Sequence, residues 1–501
     1  MKKISIWVIV LTLIAFAGCK NDDGKKESYK EVYPKTPLTG QEINNIIRET
    51  LNKTGDFDWN KADVFVLWSA LTHGNNILTI GYDEQPFAEV NSKRSEQAKK
   101  QILEQVLSLE KNSTENIRKG ESVVIAEGKE LNFMDVYVSN IETLVALKNN
   151  AKVRYIEPSG YRYFDFEPMV KSDSGCDTDP ETINSGDYTV VAPNCQVSWT
   201  YYKHNIPSAW SYSTGSGVTV GLIDTGVSSE QSLLGSSFNQ GYSSGRTITK
   251  YGVYVNSIWP WSTTTDGSVD KCGHGTLMAA TLAAPRNNLG YPVGVAYNCN
   301  LVAYRATGDV VLDGYHEQRG VSRALTELAN MASVKVISMS IGHIFSVGSI
   351  SDAVKYAYSK GKMIVAAGGT STTFTNFAGV IFPANMTETV AATGITDGSG
   401  YTECDVCHKG SKIDFTVIMQ RASDANRRSV CLGFFNNTRN YVGGSSVATS
   451  TTAGIAALIW GKYPTWTRDQ VLTRMKQSAS LYPNKSSDFG WGSINALAAV
   501  Q

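Results

Sequence analysis

The stretch Gly443–Trp460 constrains this chain more than any other. It carries no charged residue, and the next one is Lys462. It opens on Gly443-Gly444, where the backbone can turn sharply or approach a neighbour. It then runs through Ser, Thr and Ala to Ile455-Ala456-Ala457-Leu458-Ile459-Trp460. A helix that is small and uncharged on all sides has no solvent face and must be surrounded by the rest of the fold. Ser445 or Ser446 is placed to cap it. Free N–H groups and the helix dipole favour negative charge there, which would also serve a nucleophile whose reaction builds an oxyanion. Taken alone the pattern reads as a cap. A base and an acid elsewhere would change that reading.

From about Cys195 onward, strand and helix patterns alternate. Strands are expected at Val218–Asp224, Leu301–Tyr304, Val334–Met339, Met363–Ala367, Thr389–Thr393 and Ile413–Thr416. Helices are expected at His274–Ala284, Arg319–Ala332, Ser349–Ser359 (with Gly361 as a stop), the Gly443 stretch up to Pro464, and Arg468–Ser480. Such alternation implies an α/β fold with a parallel sheet covered on both faces. Sites in such sheets lie beyond the strand C-terminal ends, and Asp224 is at one. A length of 501 residues allows several domains, and 42% apolar with 18% charged residues suits sizeable cores. Lys+Arg and Asp+Glu balance at 46 each, so nothing points to nucleic acid.

Residues 1–19 read as an export signal: Met1-Lys2-Lys3, an apolar run Ile4–Gly18 too short to span a membrane comfortably, then Phe16-Ala17-Gly18-Cys19. The ending resembles a bacterial lipobox, with Cys19 as the lipidated residue. Lys20-Asn21-Asp22-Asp23 is similar to the acidic export tag of Bacteroidetes surface lipoproteins. The resemblance implies an outer-membrane lipoprotein, surface-exposed and held by a lipid on Cys19.

Residues 20–40 read as a tether. Residues 41–158 are more charged. Their expected order is strand Asp63–Trp68 (Phe65, Val66, Leu67 and Trp68 as core), helix Arg94–Leu109, strands Ser122–Ala126 and Asn132–Val138, helix Ile141–Lys148 and strand Val153–Ile156, a split βαβ arrangement. Residues 159–194 have the composition of a connector and are long for a loop within one domain. In an oxidising compartment the seven cysteines after Cys19 are expected to pair. Proximity suggests Cys176–Cys195 and Cys272–Cys299, with Cys404, Cys407 and Cys431 competing for a third bridge and one thiol left free. Cys404-Asp-Val-Cys407-His408 matches a haem-attachment pattern, but disulfides account for the same cysteines. His73, His204, His316 and His343 read as surface or packing residues.

Serine hydrolysis needs a hydroxyl, an imidazole that takes its proton, and a carboxylate that fixes the imidazole tautomer. Asp224, His274 and Ser446 occur in that order, each at the end of a strand or the start of a small-residue helix. Here the chain resembles the subtilisin-like serine proteases. Ile223-Asp224-Thr225-Gly226, Gly273-His274-Gly275-Thr276 and Gly444-Ser445-Ser446-Val447-Ala448-Thr449 are similar to the family's aspartate, histidine and serine motifs. Ser340-Ile341-Gly342 is similar to its peptide-pairing strand, and Ile206–Trp210 and Gly490–Asn495 also fit. The resemblance covers residues 195–501.

The resemblance implies that Ser446 is the nucleophile, His274 the general base and then acid, and Asp224 the orienting acid. Ser445 is then a spacer, and the backbone N–H of Ser446 is one oxyanion donor. Substrate would lie along Ser340, Ile341, Gly342, Ala366, Ala367 and Gly368, whose glycines leave room for a large residue. The family's second oxyanion donor is an Asn after Ala-Ala-Gly. Gly369 stands at that position, leaving Thr370, Ser371, backbone or water to substitute. Ser450 stands where the family has Pro. Residues 41–158 resemble the family's inhibitory propeptide, which implies self-cleavage between Glu157 and Cys195 and the propeptide itself as a partner, besides peptide substrate and membrane. No cofactor is implied. Structural calcium occurs in the family, but no contiguous calcium loop is visible. The departure at Gly369 also admits another reading, a weak or inactive subtilase-fold binding protein.

Overall fold

The structure is a computed structural model that describes residues 33–87, 92–111, 121–167, 175–370 and 379–501. The stretches expected to be an export signal with Cys19 and, up to residue 32, a tether lie outside the described residues, as does Ser371. Pro37–Gln501 form one compact unit.

The N-terminal part begins with helix α1 (Gly40–Thr54), fixed by a capping box between Thr39 and Glu42. Helix α2 (Val64–His73) follows where the sequence suggested a strand. A short apolar run does not distinguish the two. Asp63 decides it, accepting from Phe65 N as a cap. The first strand is instead β1 (Ile77–Tyr82). After it come α3 (Lys93–Leu109), β2 (Val124–Glu127), β3 (Phe133–Tyr137), α4 (Ile141–Lys148) and β4 (Val153–Glu157). The sheet order is β2-β3-β1-β4, and its three pairings are antiparallel.

A hairpin of β5 (Tyr188–Val191) and β6 (Cys195–Ser198) and the short helices α5 (Trp199–Lys203) and α6 (Ile206–Ala209) lead into the large sheet. Its strands are β7 (Thr219–Asp224), β8 (Ile248–Gly252), β9 (Asn300–Arg305), β10 (Val334–Met339), β11 (Met363–Ala367), β12 (Thr389–Thr396), β13 (Phe415–Arg421), β14 (Asp424–Leu432) and β15 (Arg439–Val442). The order is β15-β14-β13-β12-β11-β10-β7-β9-β8. Pairing from β13 through β8 is parallel, as the alternation implied. The antiparallel strands β14 and β15 extend one edge and were not anticipated.

Helices α7 (His274–Ala283), α8 (Tyr315–Asn330), α9 (Gly348–Ser359), α10 (Gly444–Lys462), α11 (Arg468–Gln477) and α12 (Ala496–Val500) complete the fold. Alternate residues of β7 serve opposite faces: Val220 and Leu222 join the core around α7 and α10, and Ile223 joins the core of α8 and α9. Helix α10 is the surrounded helix its sequence demanded, buried from Val447 through Trp460. It starts two or three residues earlier than expected, with Gly443 as N-cap and no side-chain cap bond, so neither Ser445 nor Ser446 is spent on capping.

The disulfides differ from the proximity pairing. Cys176 bonds Cys272, Cys404 bonds Cys407, and Cys195, Cys299 and Cys431 are free and buried. The three thiols lie in the core around α10 and pack as small apolar side chains. Sequence distance was a poor guide because the fold brings the 175–181 segment back to the start of α7.

Candidate active site

Asp224 is the last residue of β7 and is fully buried. His274 opens α7 and is 7% exposed. His274 Nδ1 lies 2.7 Å from Asp224 Oδ1, which also accepts from Thr225 N at 2.8 Å. A carboxylate can only accept, so Nδ1 carries the proton and Nε2 is left with a free lone pair that can accept one. Burial disfavours the imidazolium, but the Asp224 charge and its hydrogen bond outweigh burial and raise the His274 pKa above the ordinary value.

The glycines around these residues are there for space. A Cβ on Gly275 would stand 2.3 Å from the Gly226 carbonyl oxygen, and one on Gly273 would stand 2.0 Å from that of Asp177. The aspartate and histidine motifs therefore interlock, with Gly275 N donating to Thr225 Oγ1 at 2.8 Å. Asp270, which the sequence reading missed, joins the two. Its Oδ1 accepts from Thr225 Oγ1, Cys272 N and Gly273 N, and its Oδ2 from Thr276 N and Oγ1. An acid just ahead of an uncharged buried helix was the available signal.

Ser446 lies in the first turn of α10 and is half-buried. Helix α10 packs on α7, with Ser450 Oγ 3.3 Å from Met278 Sδ. Ser340, just past β10, donates to the Ser446 carbonyl at 3.0 Å. Ser445 is more than a spacer: its Oγ accepts from Gly369 N at 3.2 Å and lies 3.1 Å from Thr370 Oγ1. The end of β11 is thus tied to the residue beside Ser446. Ala366 and Ala367 are buried in β11, and Gly368 N donates to Ala392 O at 2.9 Å. Gly342 has both backbone groups engaged, its N–H with Val310 O and its carbonyl with Leu312 N, each at 3.0 Å. Among the described residues no group of three or more His, Cys, Asp or Glu stands ready to hold a metal ion.

The segment after residue 174 runs along this site. A Cβ on Gly175 would lie 3.6 Å from His274 Cδ2. Cys176 is bonded to Cys272, two residues before His274. Glu181 N donates to Arg439 O at 3.1 Å, and Asn440 Nδ2 donates to Asp179 O at 2.7 Å.

A family model described as the subtilase family matches residues 215–492, more than half of the chain. The chain belongs to the subtilase family. Alkaline elastase YaB of Bacillus sp. (strain YaB) is 28% identical to this subtilase over 348 residues, 68% of this chain and 81% of that protein. Subtilisin BL of Lederbergia lenta is 29% identical over 309 residues, 61% of this chain and 99% of that protein. The structure of fervidolysin from Fervidobacterium pennivorans, a keratinolytic enzyme related to subtilisin, superposes with a TM-score of 0.59 at 16% identity. It covers 85% of this chain and 61% of that one, a likeness of fold. This subtilase is therefore a subtilisin-like serine peptidase, acting on peptide or protein substrates.

Proposed function

We propose that this subtilase is a secreted, lipid-anchored serine endopeptidase made as a self-processing precursor. Residues 41–158 are its propeptide, 159–194 the linker that is cut and 195–501 the catalytic domain, with the lipid on Cys19 after a signal of residues 1–19 and a tether over 20–40. The observation that carries the reading is the Asp224–His274 pair at 2.7 Å with the chain's own Gly175–Glu181 segment laid along it.

Ser446 Oγ attacks the peptide carbonyl carbon while its proton passes to His274 Nε2, and the carbonyl π electrons move onto oxygen. The Asp224 carboxylate holds Nδ1–H throughout. Collapse expels the amine, which takes the proton from His274. Water then repeats the sequence on the acyl-enzyme. Ser340–Gly342 and Ala366–Gly368 border the bound peptide.

Several independent contacts dock residues 41–158 and the start of the linker on the catalytic domain, as an inhibitory propeptide requires. Arg154 forms a two-pronged bond to Asp352 at 2.7 and 2.9 Å. Glu157 accepts from Gly348 N at the start of α9. Asp313 accepts from Tyr163 N and Phe164 N, both at 2.9 Å. Phe345 sits in the N-terminal core with Phe57 and Trp59. The direct bonding of Gly342 to Val310 and Leu312 favours a second reading, a weak or inactive binding protein, since that edge is already paired.

Processing separates the two. Purified precursor is expected to convert to two fragments on a reducing gel, with Ser446→Ala remaining at full length. Without reductant, a cut C-terminal to Cys176 leaves the fragments joined through Cys272, keeping the catalytic domain on its lipid anchor. A single unprocessed wild-type species would favour the binding-protein reading.

A further inference from the structure

Gly369 leaves the oxyanion side of the site without a side chain, and the space beside it is filled. A Cβ on Gly369 would stand 2.3 Å from His408 Nδ1. In an asparagine side chain, bonds of about 1.5 and 1.3 Å put the amide nitrogen about 2.4 Å from its own Cβ. His408 Nδ1 therefore lies about as far from that Cβ position as the amide nitrogen of an asparagine there would. Gly369 has φ +126°, a conformation disfavoured for other residues, and no side chain could share the place with the ring.

The histidine is held there by construction. His408 N donates to Gly369 O at 3.0 Å, Thr370 bridges Cys407, and Thr393 Oγ1 donates to His408 O. The Cys404–Cys407 disulfide closes the turn immediately before it. His408 is 6% exposed, and burial lowers its pKa, keeping the ring neutral with one proton. Nδ1 faces the Gly379 carbonyl, which can only accept, so the proton is on Nδ1. Nε2 is buried with no partner among the described residues.

We propose that His408 is a catalytic residue, its Nδ1–H supplying the side-chain hydrogen bond to the oxyanion formed when Ser446 attacks. The proposal rests on the Ser446 mechanism above. His408 N bonds Gly369 O, and Gly369 N bonds Ser445 Oγ, so Gly369 links His408 to the residue beside the nucleophile. During the reaction Nδ1–H exchanges the Gly379 carbonyl for the substrate oxygen. No proton leaves the ring, and the C–O bond formed and π electrons displaced are those of the Ser446 step. The Cys404-Asp-Val-Cys407-His408 run is then a disulfide-pinned mount for a hydrogen-bond donor.

The test compares His408→Asn and His408→Leu in the full chain, activated by its own processing or by added wild-type enzyme. Asn offers an amide N–H near the place of Nδ1, and Leu offers similar bulk without a donor. Expected for Leu is a kcat loss of about 10²–10³ with KM changed less than about three-fold, the size that removing one such donor has in subtilisin. Asn should retain most of the rate. Thermal melting of both variants distinguishes lost turnover from lost fold. Wild-type kcat in a folded His408→Leu variant would overturn the proposal, as would equal losses in Leu and Asn at equal stability. Activity that survives Ser446→Ala would overturn the mechanism itself, a separate failure.

Discussion

On the histidine side of the cleft, each part is supplied by residues close in sequence to a motif. Asp224 and Thr225 end one strand, Asp270 to Thr276 begin one helix, and Asp270 accepts five hydrogen bonds that lock the two together. On the serine side, the end of β11 offers only Gly369, and the group beside it comes from His408, far along the chain and held by a disulfide turn. Both sides bury a histidine, in opposite electrostatic settings: His274 faces a carboxylate and its pKa is raised, whereas His408 faces a carbonyl and its pKa is lowered. The proposed mechanism asks one imidazole to take a proton and the other to keep one.

Changes that break the contrast should rank accordingly. Asp224→Asn leaves the His274 tautomer unsecured and should lower kcat about 10⁴-fold, read on a chromogenic peptide. Gly369→Ala puts a methyl 2.3 Å from His408 Nδ1 at φ +126°, displacing the ring. Its kcat should fall about 10²-fold, with a lower melting temperature. Asp270→Asn replaces one accepting oxygen by an amide group facing N–H donors and should cost about ten-fold in kcat/KM. It also removes a charge that helps raise the His274 pKa, so the acid limb should move down, by less than on removing the Asp224 charge.

The pH profile sharpens the contrast further. The base form of His274 is neutral, and its pKa is raised, so kcat/KM should fall as pH drops through a value above the ordinary 6.5. Removing the Asp224 charge should move that acid limb down. His408→Leu should scale the rate at every pH and leave the limb where it is. A limb that moved with His408 would place the two histidines in one titrating system.

The sequence exposed the first side and hid the second for a physical reason. Asp224, His274 and Ser446 stand at strand ends and helix starts, where a few neighbouring residues fix the backbone, so their motifs are local. The vacancy at Gly369 was legible because a missing side chain is itself local. Its occupant was not, because the contact depends on β12, the disulfide turn and β11 meeting in space. The same limit explains the cysteines: Cys176 and Cys272 are 96 residues apart yet bonded. Helix α2 was misread because Val64–Trp68 is apolar throughout, and only the Asp63 cap distinguishes helix from strand.

The central claim is that Ser446, activated by His274, is the nucleophile of this subtilase. Reaction of the processed enzyme with a fluorophosphonate, followed by peptide mass mapping, measures it directly. The account predicts one adduct, on Ser446, formed far more slowly in His274→Ala and absent in Ser446→Ala. An adduct on another serine, or no adduct on enzyme freed of residues 41–158, would contradict it.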